Sequence, residues 1–132
     1  MKREAKWQTI WSKYCQECAK RGEHWNYELK QTKTNSFYFN SFEPQQIPSL
    51  VATENSGFHW KYSDADPRVK MFDGSIVPAQ KGYVVIKYPD CFVMIRVGDF
   101  VKEDLESSML TKPIKSLSLQ RAKNIAERII RI

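Results

Sequence analysis

The chain has 132 residues, 42% of them hydrophobic and 13% aromatic, which suits one domain, residues 1–132, with a core of its own. Charged residues at 27% are ordinary and exclude a disordered composition, and no apolar run approaches the roughly 20 residues of a membrane helix. The formal charge of +6 is compatible with a polyanionic partner, and the polar start MKREAKWQ has no signal-peptide core, so a cytoplasmic protein is expected.

Residues 4–21 read as an amphipathic helix. Trp7, Ile10, Trp11, Tyr14, Cys15 and Cys18 recur at helical spacing, and Gly22 is a natural stop. Residues 25–31 alternate as a strand does: Trp25, Tyr27 and Leu29 face one way, Asn26, Glu28 and Lys30 the other. A second short strand, Phe37 to Phe39, follows the polar turn Lys33-Thr34-Asn35-Ser36. Glu43-Pro44 looks like a helix start, and Pro48 must dent or split the helix that follows. Phe58 to Tyr62 and Met71 to Val77 are strand candidates around a turn from Asp64 to Pro67.

Tyr83 to Tyr88 and Phe92 to Val97 are the most apolar runs, and Pro89-Asp90 between them reads as a hairpin turn. Asp99 to Glu106 suits a short helix. Ser118 caps a last helix whose apolar face runs through Ile125, Ala126, Ile129 and Ile130, with Arg121, Lys123, Arg128 and Arg131 opposite. The order predicts a single α/β (α+β) domain, a central mixed sheet flanked by helices. Cys15, Cys18 and Cys91 are odd in number and lack a second metal-binding pair, so they read as small core residues.

Glu28 and Lys30 are a carboxylate and an amine on one face of one strand. A carboxylate there can hold Mg²⁺, and an amine beside it can orient or deprotonate a water, the elements of metal-assisted phosphodiester hydrolysis. Glu-x-Lys by itself is a weak motif; its surroundings carry more. Tyr27-Glu28-Leu29-Lys30-Gln31-Thr32-Lys33, then Ser36-Phe37, Asn40-Ser41-Phe42, Gln46-Ile47 and Leu50 follow one another at nearly constant spacing. The run resembles the RecU-type Holliday-junction resolvases of the PD-(D/E)xK nuclease superfamily, with their F-E-A-K-E-T-K, S-F-P-L, N-F and H-Q-I segments.

The resemblance implies a restriction-endonuclease-like core and a Mg²⁺-dependent endodeoxyribonuclease, with Mn²⁺ able to substitute. It implies a homodimer that cuts four-way or other branched DNA; the lack of a long apolar run predicts no membrane association. Glu28 would be the metal-binding carboxylate, Lys30 the lysine that positions water, and Gln46 the glutamine of H-Q-I. Glu4 would be the supporting acid of the first helix. The superfamily's aspartate from an earlier strand has no counterpart, because no aspartate precedes Asp64. Asp73 is the expected replacement, on an antiparallel strand lying where the missing strand would be, beside Glu28. Lys33, Thr32, Lys61, Arg68 and Lys70 are candidate DNA contacts. The alternative is a degenerate nuclease fold that binds nucleic acid or another protein without cutting.

Overall fold

The computed structural model describes residues 3–61 and 73–132, with side chains from Lys6 onward. Helix α1, Arg3–Lys20, ends as its sequence predicts. Gly22 sits at φ 77°, the left-handed conformation glycine adopts without a Cβ penalty. The Gly22 N–H then reaches the Ala19 carbonyl at 3.0 Å and the Glu23 N–H the Cys18 carbonyl at 3.1 Å, a Schellman closure.

Strand β1, Trp25–Gln31, and the three-residue β2, Ser36–Tyr38, lead into helix α2, Gln46–Asn55. Pro48 does not dent α2. It lies in the first turn, where an N–H has no intrahelical acceptor to lose. Strands β3, Phe58–Lys61, and β4, Gly74–Val77, pair antiparallel with each other. The apolar runs become β5, Lys81–Tyr88, and β6, Cys91–Arg96, joined by the Pro89-Asp90 turn. Helix α3 is Val97–Ser108, longer at both ends than its polar pattern suggests. Strand β7, Ser116–Ser118, pairs with β2 and was not foreseen.

The last element differs most from expectation. Ser118 does cap a helix, its hydroxyl accepting from the Arg121 N–H at 3.3 Å. That helix, α4, spans only Leu119–Ile125, and Ala126 turns extended at ψ 139°. Strand β8, Arg128–Arg131, then pairs antiparallel with β6, entered by a bond from the Glu127 N–H to the Met94 carbonyl at 2.8 Å. A free edge on β6 and two adjacent isoleucines outweigh the helical spacing.

The central sheet has the order β1-β5-β6-β8, with β1 parallel to β5 and the other neighbours antiparallel. Its middle strands are buried on both faces, which is why their sequences are continuous apolar runs. On one face α1 brings Trp7, Ile10, Trp11 and Tyr14 against Tyr83, Val85, Phe92 and Met94, with Trp25 and Leu29 of β1. On the other face Val84, Ile86, Val93 and Ile95 pack under α2, α3 and α4 through Leu50, Phe100 and Ala122. Gly82 lets α2 sit on the sheet: a Cβ there would lie 3.0 Å from the Leu50 side chain and carbonyl. The chain is thus a mixed α/β fold with a central sheet flanked by helices. Among the described residues no helix is long and apolar enough to cross a membrane.

Candidate functional site

Strand β1 positions the Glu28-Lys30 pair. Its register sets Glu28 beside Val84 and Lys30 beside Ile86, both in the cluster under α2 and α3. Trp25 and Leu29 take the α1 side. The two charged side chains therefore share the face opposite α1, as the period of two requires. Both are half-buried.

Their surroundings differ. The Lys30 ammonium lies 5.6 Å from the centre of the Phe42 ring, a cation–π contact. Phe42 is itself fixed edge-on against Phe37 and Phe100, so the amine rests on a rigid wall of the core. The Glu28 carboxylate has no hydrogen bond or ion pair among the described residues, and it does not bridge to Lys30. Other half-buried glutamates are committed: Glu54 to Arg96, Glu103 to Arg121 at 2.5 Å, and Glu23 to Arg128 at 2.7 Å. A carboxylate held partly out of water without a cation is a ready ligand for an incoming one.

The residues after the pair are held by their own hydroxyls. The Thr32 and Thr34 hydroxyls both donate to the Ser36 carbonyl, at 2.7 and 3.0 Å, and the Thr32 N–H bonds the Lys87 carbonyl at 2.9 Å. Thr32 thus shapes the turn, and its proton is already donated. Lys33 is exposed on that turn. Gln46 begins α2, and its amide oxygen accepts from the Glu43 N–H at 3.0 Å. In this state it serves as the helix's N-terminal closure.

The remaining candidates lie elsewhere. Asp73 is exposed immediately before β4, next to Gly74, which is the register partner of Lys61 in β3. Among the described residues the expected strand is not found beside β1: β4 belongs to a separate two-stranded sheet, and β1 is an edge of the central one. The Gly74–Val77 segment finds its partner in the sequence-near Phe58–Lys61, the cheaper pairing in loop-closure entropy. Glu4 belongs to α1, whose apolar stripe packs on the face opposite to Glu28 and Lys30. Arg68 and Lys70 lie outside the described residues.

Among the described residues, no three His, Cys, Asp or Glu side chains come together as a metal site. Glu28 fits a Mg²⁺ ion as one carboxylate donor. Such ions often take only one or two carboxylates and complete their shell with water and substrate phosphate.

Sequence reasoning passed over a second polar group at the opposite end of β1. Arg128 reaches Glu23, the Tyr14 hydroxyl at 3.0 Å and the Cys18 sulfur at 3.8 Å, while Arg21 holds Glu23 at 3.1 Å. The Arg128 hydrogen bond, helped by Arg21 and Trp25 and opposed by burial, holds the Glu23 carboxyl below the usual range. Tyr83 donates to Glu127, and burial together with that carboxylate pushes its phenol well above the ordinary value. The contacts of Arg128 and of Tyr83 join positions far apart in the chain, so no local spacing announces them. Compared with known proteins, the chain matches no family model and no curated protein.

Proposed function

We propose that this chain is a DNA endonuclease of the PD-(D/E)xK type, acting on four-way or otherwise branched DNA. The observation that carries the reading is the pair itself: among the described residues, a half-buried carboxylate without a cation and an amine braced on Phe42, side by side on one face of the central sheet's edge strand. The restriction-endonuclease-like reading of the fold rests on the same run, Tyr27 to Leu50, and on a mixed sheet with helices on both faces.

In this reading Glu28 contributes one carboxylate to Mg²⁺, and Asp73, carried on the β3–β4 ladder, is the candidate for a second. Bound there, the ion would supply Lewis-acid polarisation of a phosphate oxygen. Lys30 would orient the attacking water by hydrogen bonding, with Phe42 limiting the directions its amine can take. Two copies acting together would give paired cuts in a four-way junction.

A second reading, a nuclease-like fold that binds nucleic acid without cutting it, is favoured by the pairing of β4 with β3, which leaves Glu28 without an acid-bearing strand at its side among the described residues. Cleavage of a labelled four-way junction, linear duplex and single strand in Mg²⁺ or Mn²⁺ separates the two. The nuclease reading expects paired junction cuts that fall by at least about a hundredfold in Glu28→Gln and Lys30→Ala, the scale on which positioned catalytic groups act. Both variants should keep the parent's thermal midpoint to within a few degrees. Binding without any cut, unchanged by Glu28→Gln, would select the second reading.

A further inference from the structure

The topology gathers cations at one end of the central sheet. The parallel strands β1 and β5 both finish there, the β5–β6 hairpin turns there, and β8 ends there with Arg131 opposite Cys91. Lys33 follows Thr32, whose N–H is bonded to the Lys87 carbonyl. The Lys87 ammonium lies 6.0 Å from the Trp7 ring centre, and Trp7 packs on Phe92, so the first turns of α1, with Lys6, reach the same end. Lys123 of α4, Arg131 and Lys87 all act on the Cys91 thiol, each lowering a value that burial raises.

These cations carry no carboxylate partner, as is general for the described lysines; what sets them apart is that the fold gathers them at one end of the sheet. Arg21, Arg96, Arg121 and Arg128 each hold a glutamate. Lys6, Lys33, Lys87, Lys123 and Arg131 have no ion pair among the described residues, and all but the half-buried Lys87 are exposed. Asp90, in the hairpin turn, is the acid set among them, and its backbone carbonyl accepts from the Ile132 N–H at 3.1 Å. Neutralised cations are spent; unpaired ones still carry a field that a polyanion can relieve by releasing its counterions.

We infer that this end of the sheet, through Lys33, Lys87, Lys123 and Arg131, is a docking surface for the phosphate backbone of double-stranded DNA. It deepens the nuclease reading and rests on it for the choice of partner. The surface adjoins the Glu28-Lys30 pair along β1. From Glu28 to Gln31, the end of β1, the chain advances about 10 Å at roughly 3.3 Å per strand residue, and Lys33 stands on the turn just beyond. That matches about three phosphate steps of one strand at about 3.4 Å along the duplex axis. A duplex seated on the lysines thus brings its backbone alongside the pair. The contacts are sequence-independent by chemistry, since lysine and arginine meet phosphate oxygens and not base edges.

Fluorescence anisotropy tests it, with labelled 20-base-pair duplex DNA in EDTA, so that cleavage plays no part. The unsubstituted chain should bind with an affinity that falls steeply with salt. Lys33→Ala/Lys123→Ala/Arg131→Ala should weaken binding at least tenfold and flatten the log–log salt slope by about 2 to 3, close to one unit for each phosphate no longer neutralised. Lys20→Ala/Lys81→Ala, at the opposite end, should bind as the parent does. Equal weakening in both variants, none in the triple variant, or no binding by the parent would overturn the inference. Parallel cleavage assays keep the two proposals apart. Weakened binding in the triple variant of a parent that never cuts leaves the surface standing and removes the nuclease. Cutting that survives with binding unchanged in the triple variant does the reverse.

Discussion

At the scale of single residues, the period of two in β1 was enough to place Glu28 and Lys30 on one face, because a strand's geometry leaves only two directions. What lies around them was not legible. Phe42 beneath Lys30, and the glutamate partners that set Glu28 apart, come from segments joined only by the tertiary fold. Glu23 shows how such contacts can be measured. Its folded carboxyl is held below the ordinary value near 4.3 by Arg128 first, then Arg21 and Trp25. A depressed folded pKa contributes stability that is fully present above the unfolded value and is lost as pH falls through the folded one. Urea unfolding from pH 7 to pH 3 should therefore show the parent losing stability on the acid side more steeply than Glu23→Gln. The gap between the two should be widest above the ordinary carboxylate range and narrow as pH falls through and below it. Parallel curves would mean that Arg128 and Glu23 do not interact in solution.

At the scale of elements, apolar patterning identified α1, β1, β5 and β6 nearly to the residue. It failed at the end of the chain for a physical reason. Ala126, Ile129 and Ile130 suit the face of a helix, but β6 offers an open row of carbonyls and N–H groups, and pairing satisfies both strands. The two adjacent isoleucines tell the alternatives apart. In a strand they point to opposite faces: Ile129 is 45% exposed, and Ile130 packs with the Trp11 cluster beneath α1. Ile130→Ala should then cost about 1–2 kcal/mol in unfolding free energy, the scale of losing a partly buried branched side chain. Ile129→Ala should stay within about 0.5 kcal/mol. Equal costs at the two sites would argue for the continuous helix.

At the scale of the whole molecule, the class of fold was legible and the pairing of its strands was not. Alternation says that a segment is a strand; it does not say which neighbour the strand takes. Asp73 illustrates the gap. Its segment was readable as extended, but β4 turns back on β3 and, among the described residues, leaves β1 at the edge of the sheet. Whether Asp73 nonetheless shares an ion with Glu28 has a readout independent of catalysis. An ion that binds the folded chain and not the unfolded one raises its stability by RT ln(1 + [L]/Kd), about 2.7 kcal/mol at a hundred times Kd. Thermal unfolding with rising Mg²⁺, against the same chloride concentration as a salt control, should show a midpoint that climbs in the parent and stays flat in Glu28→Gln. Asp73→Asn should flatten it as well if the aspartate completes the site. Glu4→Gln should leave the climb intact, because α1 covers the opposite face of the sheet. A climb abolished in Glu4→Gln and kept in Asp73→Asn would instead place the second acid on the first helix.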